Sequence, residues 1–245
     1  MKLLPDDPPN FLHTEFLAGK RSYCGVSAPL TLKIERQDVH LPPHEFRELS
    51  FSSRLTLWLA EQAVADAHLL EAGYAPERIG VFVSQNSGEQ ASTVWDVNLA
   101  LRVAWLLQLV SEEAHPTPEQ IQRLRARLLE GRAQAGAGSM LGRLNCTAAG
   151  YICRRFGFSG PSHSTGAACA ASMAALFDAW TLLQAGVIDA AVVGGGEEKY
   201  APLPYAEFCA MGALARSAEY AEPRQCSRPF DAHRTGFVPA GGGAM

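Results

Sequence analysis

The sequence predicts an α/β fold, a mostly parallel mixed sheet with helices on both faces. Three observations predict it. Ile79 to Ser84 (IGVFVS) is a short continuous apolar run after a turn, as expected of a strand covered on both sides. Asp189 to Val193 is a second such run, closing on three glycines. Between them, about Cys169 to Ala185, lies an apolar-rich stretch too long for a strand and fit for a helix. Strands alternating with helices are joined by crossovers, and crossovers make parallel sheets.

The remaining elements follow in order. Residues 1 to 50 are rich in proline and charge, so they read as mostly irregular with one short strand or helix. Ser52 and Ser53 are placed to cap a helix on which Leu55, Leu59, Ala63, Ala67 and Leu70 recur every three or four residues, with Gly73 as its stop. Val94, Val97, Leu101 and Trp105 give another helical face. Ile121, Leu124 and Leu128 give a third after the break at His115-Pro116-Thr117-Pro118. Gly131 to Gly142 reads as a loop and Asn145 to Phe156 as helical. Ser162 to Ala168 is a short approach to the long helix.

Composition excludes several classes. With 47% hydrophobic and 19% charged residues, the chain is neither fibrous nor wholly disordered. Lys plus Arg is 21 and Asp plus Glu 25, a net charge of 21 − 25 = −4, which argues against nucleic acid as the main partner. The longest nearly apolar run, Ala167 to Leu183, is broken by Asp178 and falls short of the roughly 20 apolar residues of a membrane span. The start, Met-Lys-Leu-Leu-Pro-Asp-Asp-Pro-Pro, breaks into acid and proline before a signal-peptide core forms. The six cysteines (24, 146, 153, 169, 209 and 226) show no CxxC pair. A cytoplasmic, reducing location is the expectation.

The stretch that points to chemistry is Gly160-Pro-Ser-His-Ser-Thr-Gly-Ala-Ala-Cys-Ala-Ala-Ser172. A cysteine before a long helix sits at its first turn, where unpaired N–H groups and the positive end of the dipole favour thiolate over thiol. Ala167, Ala168, Ala170 and Ala171 leave space around the sulfur, as an acyl-thioester nucleophile requires. The same residues also suit a small cysteine packed into a tight strand-to-helix turn. The local pattern alone leaves both readings open.

A longer pattern resembles a known family. Gly160-Pro161-Ser162 before Cys169, the helix ending Leu-Leu-Gln-Ala-Gly186, and Ile-Asp-Ala-Ala-Val-Val-Gly-Gly-Gly-Glu197 resemble the nucleophile region of β-ketoacyl synthases. The resemblance continues through Phe208, Gly212-Ala-Leu214 and Ser227-Arg-Pro-Phe-Asp-Ala-His-Arg-Thr-Gly-Phe-Val238. Leu17-Ala-Gly19, the 54 to 70 helix and the IGVFVS strand fit more loosely.

The resemblance implies a thiolase-like fold, with residues 1–245 as the N-terminal half of its duplicated architecture and a helical insertion at about 94–134. It implies an acyltransferase that extends an acyl thioester by two carbons in fatty acid or polyketide synthesis. Cys169 carries over as the acyl acceptor, and its own N–H as half of an oxyanion hole. No cofactor is implied; substrates arrive on the phosphopantetheine of an acyl carrier protein. A homodimer, or a complementary synthase half or subunit, is the other expected partner.

The departures are specific. The family's two histidines, its lysine and its Gly-Phe-Gly-Gly loop lie in a second half that this sequence does not contain, so the chain alone is expected not to condense. The family's opening Ile-Thr-Gly-like strand is missing or replaced by residues 1 to 12. Ala167 stands where Thr is usual, Gly166 at an Asp- or Ser-like position, and Gly241 where Glu is usual. Two alternatives follow: a non-catalytic carrier-protein-binding or scaffold subunit, and a thiolase-type acyltransferase.

Weaker signals have plainer readings. His163, six residues before Cys169, is at a position variable in the family and is read as non-catalytic. His40 and His44 are separated by Pro42 and Pro43, which prevent one helix from aligning them, so no metal is expected. Gly136-Ala-Gly138 with Gly142 lacks the spacing of a phosphate loop. Gly194 to Gly196 read as packing glycines. Asp231, Arg234 and Phe237 read as scaffold near the site. The resemblance implies that the region around Trp95 and Trp105 helps form an acyl tunnel that selects chain length, whereas a plain core helix pair is the simpler reading for either residue. Arg123, Arg125, Arg127 and Arg132, with Arg154 and Arg155, are candidates for carrier docking. If they dock it, Arg125→Glu with Arg127→Glu weakens carrier affinity in a titration; unchanged affinity dismisses the role.

Overall fold

The computed structural model describes residues 2–3, 23–28, 30–85, 117–123, 144–197, 208–209 and 211–245. A two-residue strand β1 (Lys2–Leu3) pairs antiparallel with β2 (Val26–Ser27). The main sheet has four strands: β3 (Ile79–Ser84), β4 (Ser162–Thr165), β5 (Ala190–Glu197) and β6 (Gly242–Ala244). Their spatial order is β4-β3-β5-β6. The first three are parallel, with Val81 opposite Ser162 and Val192, and β6 closes the edge antiparallel to β5. The expected mostly parallel mixed sheet is present.

Every residue of β3 is buried, because helices cover both faces. On one face lie α1 (Pro43–Glu48), α2 (Phe51–Asp66) and α3 (Thr147–Phe156). Leu55, Ala60 and Val64 of α2 and Ala148 and Ile152 of α3 pack there with Ile79, Val81 and Val83. On the other face α4 (Ala171–Gln184) buries Ala175 and Ala179 against Phe82 and Ile188. Alternate β3 side chains thus feed two cores, which is why the strand reads as an unbroken apolar run.

The sequence misplaces some boundaries. Ser52 and Ser53 do not cap α2; both are buried inside it, and Ser50 is the cap, accepting the Ser53 N–H at 3.1 Å. Serine at all three positions gives the sequence no way to choose, whereas burial does. The helix also ends at Asp66, seven residues before Gly73; turns follow, with His68 left-handed at φ 49°. The three glycines do not end the second strand but lie within β5. A Cβ at Gly195 would collide with the Ser84 carbonyl oxygen on β3, so the glycine permits the close approach of the two strands. Residues 147–156 are helical as expected, and Gly157 ends α3 with φ 75°. Of the 94–134 region only 117–123 are described, with 118–123 helical; the rest, including Trp95, Trp105 and Gly131 to Gly142, lies outside the described residues.

Helix α4 is apolar on its outer side too. Met173, Leu176, Phe177 and Trp180 are each more than half exposed, with Leu183 and Val187 continuing the line. Phe177 and Trp180 meet at 5.9 Å between ring centroids. A helix apolar all round belongs in an interior. Among the described residues no helix is long and apolar enough to cross a membrane.

A fork of hydrogen bonds ties the loop before β3 to that before β5. Arg78 donates from Nε and a terminal nitrogen to the two Asp189 carboxylate oxygens, both at 2.5 Å, and also to the Gly186 carbonyl oxygen at 2.9 Å. The Arg78 hydrogen bonds hold the Asp189 carboxyl below the usual carboxylate range. A depressed carboxylate stabilises the fold above its unfolded value, near pH 4, and loses that contribution as pH falls through the folded value. Asp189→Asn is therefore expected to melt below wild type at pH 7, with the two melting curves converging under acid below about pH 4.

Candidate active site

Strand β4 ends at Thr165, and the chain turns through Gly166 and Ala167 into a 3-10 turn, Ala168–Ala170, before α4 begins. Cys169 lies in this turn and is exposed. The turn is closed by the Ala170 N–H donating to the Ala167 carbonyl oxygen at 3.0 Å. Ala168 takes φ 48°, a left-handed conformation that side chains other than glycine disfavour. Ala170, at the N-cap of α4, supplies no side-chain cap, so no serine or aspartate oxygen at that position takes up the N–H groups of the first turn. This arrangement places an exposed sulfur one residue before the N-cap of α4, at the positive end of the helix dipole. A cleft of about 480 Å³ adjoins the turn at Ala168 and is lined there by Ser172, Met173 and Leu176 of α4, Ser84 of β3, and Gly195 and Gly196 of β5; Cys169 itself is not among its lining residues.

A second cluster gathers the other motif segments. Phe237 pairs with the 213–215 segment: its N–H donates to the Ala213 carbonyl oxygen at 3.0 Å, and its carbonyl accepts the Ala215 N–H at 2.9 Å. Its ring meets Phe208 edge-on at 5.1 Å. Tyr23 joins in, its hydroxyl accepting the Leu214 N–H at 3.3 Å and donating to the Cys209 carbonyl oxygen at 3.2 Å. Asp231 braces the loop before Phe237. It accepts the His233 N–H at 2.7 Å and Arg228 Nε at 3.0 Å, and its carbonyl accepts from Arg234 at 2.9 Å. The His233 N–H first, then Arg228, holds the Asp231 carboxyl below its ordinary range. Among the described residues, the contacts of Asp231, Arg234 and Phe237 are with neighbouring segments of the chain's own loops. The brace displays Phe230, 99% exposed at φ 66°, which the sequence did not single out.

The weaker candidates sort cleanly. His163 Nε2 lies 3.0 Å from Asp178 Oδ2 on α4, and its ring stands edge-on to Phe82 at 5.1 Å. Arg154 pairs with Glu45 and stacks on Tyr151, while Arg155 pairs with Glu61 at 2.6 Å. These two arginines fasten α3 to α1 and α2, so their charge is already engaged within the chain. Arg123 is described; Arg125, Arg127 and Arg132 lie outside the described residues. Pro43 begins α1, placing His44 on that helix and His40 before it. Among the described residues no group of three or more His, Cys, Asp or Glu is placed to hold a metal.

The motif order, the strand-turn-helix around Cys169 and the sheet topology find their counterpart in one family. The N-terminal domain of β-ketoacyl synthases matches residues 18–245, and the chain belongs to that family. The 3-oxoacyl-[acyl-carrier-protein] synthase 1 of Escherichia coli K12 is 44% identical over 91 residues, 37% of this chain and 22% of that protein. The synthase of the same name from Haemophilus influenzae is 28% identical over 216 residues, 88% of this chain and 46% of that one. The crystal structure of a β-ketoacyl synthase from Burkholderia phymatum superposes with a TM-score of 0.64 at 22% identity, covering 94% of this chain and 49% of that one. The fold is thiolase-like, and the match spans about half the length of the Haemophilus synthase and of the Burkholderia structure.

The left-handed Ala168 provides a direct check on the turn. Replacing it with glycine removes a steric cost of about 1–2 kcal/mol but adds freedom to the unfolded chain worth about 0.4–1 kcal/mol. Ala168→Gly is expected to raise the thermal midpoint slightly and Ala168→Val to lower it by several degrees, read by thermal denaturation.

Proposed function

We propose that the chain is the N-terminal half of a decarboxylative condensing enzyme of the 3-oxoacyl carrier-protein synthase type, with Cys169 as acyl acceptor. The carrying observation is the exposed Cys169 in an uncapped turn at the head of α4. The Cys169 thiolate attacks the thioester carbonyl of an acyl group held on the phosphopantetheine of an acyl carrier protein. The carbon–sulfur bond to the carrier breaks, the carrier thiolate leaves and takes up a proton, and the acyl group stays on Sγ. The Cys169 N–H stabilises the oxyanion of the tetrahedral intermediate. A malonyl-type extender then loses carbon dioxide, and its carbanion displaces the acyl group from sulfur as a 3-oxoacyl thioester two carbons longer.

Decarboxylation needs the family's histidines and lysine, so the reading requires a complementary synthase half, in the same polypeptide or as a separate subunit. The outer face of α4 supports this. Its row from Met173 to Val187 is too apolar for a solvent-facing helix, and it begins beside Cys169, where the second half has to complete the site. The residues usual at 166, 167 and 241 are replaced by Gly166, Ala167 and Gly241, each without a hydrogen-bonding side chain. Either a divergent specificity or a weakened active site is consistent with that loss.

Intact-mass spectrometry after incubation with an acyl carrier-protein thioester tests the reading, with and without the complementary half. An acyl adduct is expected on wild type and absent from Cys169→Ala. No adduct with both halves present would turn the assignment toward a carrier-binding or scaffold subunit.

A further inference from the structure

Strand β3 is apolar until its last residue, and there two polar residues stand side by side. Ser84 is 7% exposed and Gln85 is wholly buried. They reach to opposite sides of the sheet. On the α4 side, the Ser172 hydroxyl donates to Ser84 Oγ at 3.0 Å, and Ser172 lies three residues, nearly one helical turn, beyond Cys169. On the α2 side, Gln85 Nε2 donates to Ser53 Oγ at 3.3 Å. The Gln85 backbone N–H donates to the Thr165 carbonyl oxygen at 3.3 Å, the last rung before the chain leaves β4 for the Cys169 turn.

The Gln85 amide is only half satisfied. Its Oε1 is sealed from solvent and has no hydrogen-bond partner among the described residues. Turning the amide over exchanges which end is stranded without supplying the missing partner. The hydroxyls of Ser164 and Thr165, on the strand alongside, are likewise sealed and without partners among the described residues. A methionine at position 85 would fill similar space with no stranded polar atom. A sealed, half-paired amide is thus a poor choice for stability, and such groups concentrate where a structure serves a purpose other than stability.

We infer that Ser84 and Gln85 are positioning residues for the Cys169 turn, fixing it to the end of the central strand from both faces of the sheet. The inference rests on the reading of Cys169 as acyl acceptor. A turn with a left-handed alanine persists only where its surroundings over-determine it. Three links do so here. The Gln85 N–H holds the chain on entry at Thr165, the Ala170 N–H closes the turn on Ala167, and Ser172 fastens the exit to Ser84. The Gln85–Ser53 bond anchors this strand end to α2, so that the turn is held relative to both helix layers. Neither side chain is bonded to Cys169; Ser84 also lines the cleft beside the turn, whereas Gln85 lies on the other side of the sheet, and both act through the geometry of the turn.

The test separates positioning from packing. The paired variant Ser53→Ala with Gln85→Met removes both polar partners, leaving neither stranded, and Ser84→Ala releases only Ser172. Each is compared with wild type by thermal midpoint and by the rate of alkylation of Cys169 with iodoacetamide. The rate is read peptide by peptide against the exposed Cys146 as internal reference. The paired variant is expected to keep or raise the midpoint while the Cys169 to Cys146 rate ratio falls at least threefold, and Ser84→Ala to lower the ratio with little change in midpoint. An unchanged ratio, or one that falls only in step with the midpoint, overturns the inference. Alkylation needs no second half and no carrier, so this failure is distinct from a failure of wild type to become acylated at Cys169.

Discussion

The pairing of β3 with two parallel neighbours is the constraint on which the rest depends. Because β3 is flanked by β4 and β5, neither of its edges is free, and because helices lie above and below it, neither face is. Its C-terminal end therefore becomes the fixed point of the molecule. The chain emerging from β4 leaves the sheet beside that point and turns into α4, so Cys169 is placed first by a rung of backbone, to which the Ser84–Ser172 side-chain link is added. Ligands of open parallel sheets bind at the carboxyl ends of the strands for this reason: the turns there inherit the rigidity of the sheet.

The two faces of the sheet are held differently. The α2 side is a mixed layer in which aliphatic packing is interrupted by hydroxyls aimed at the backbone. Thr56 accepts the Gly196 N–H at 3.0 Å and sits 3.4 Å from that residue's carbonyl oxygen, and Ser53 takes the Gln85 amide. The α4 side is held by small residues, Ala175 and Ala179, that let the helix lie close to Phe82 and Ile188. Close approach there leaves the bulky residues of α4 pointing outward, and those are the aromatic and thioether side chains of its exposed row.

What the sequence made legible was whatever burial writes as a pattern. IGVFVS fits a two-sided strand, and a cysteine among alanines before a long apolar helix fits a turn, whatever its role. Boundaries were harder. Three serines in four positions before Leu55 offer the same capping chemistry, and only the packing of Ser52 and Ser53 into the core selects Ser50. The glycines of β5 look like a terminator because the groups that crowd them, the Ser84 carbonyl beside Gly195, the Ala244 carbonyl beside Gly194 and the Leu55 side chain beside Gly196, lie far away in sequence. Arg154 and Arg155 invited a docking role for the same reason: Glu45 and Glu61, which engage them, lie far upstream. Gln85 left no trace in composition or spacing, since a stranded amide is visible only once its surroundings are.

The central place of β3 also has a consequence for synthesis. Its partners Ser162 and Ala190 follow it by about 80 and 110 residues, so at roughly 5–20 residues per second the strand leaves the ribosome many seconds before either neighbour exists. During that interval a β-rich apolar hexapeptide has both edges open. The nascent chain therefore depends on α2, made just before β3 and able to cover one of its faces early, to keep the strand from finding another chain first.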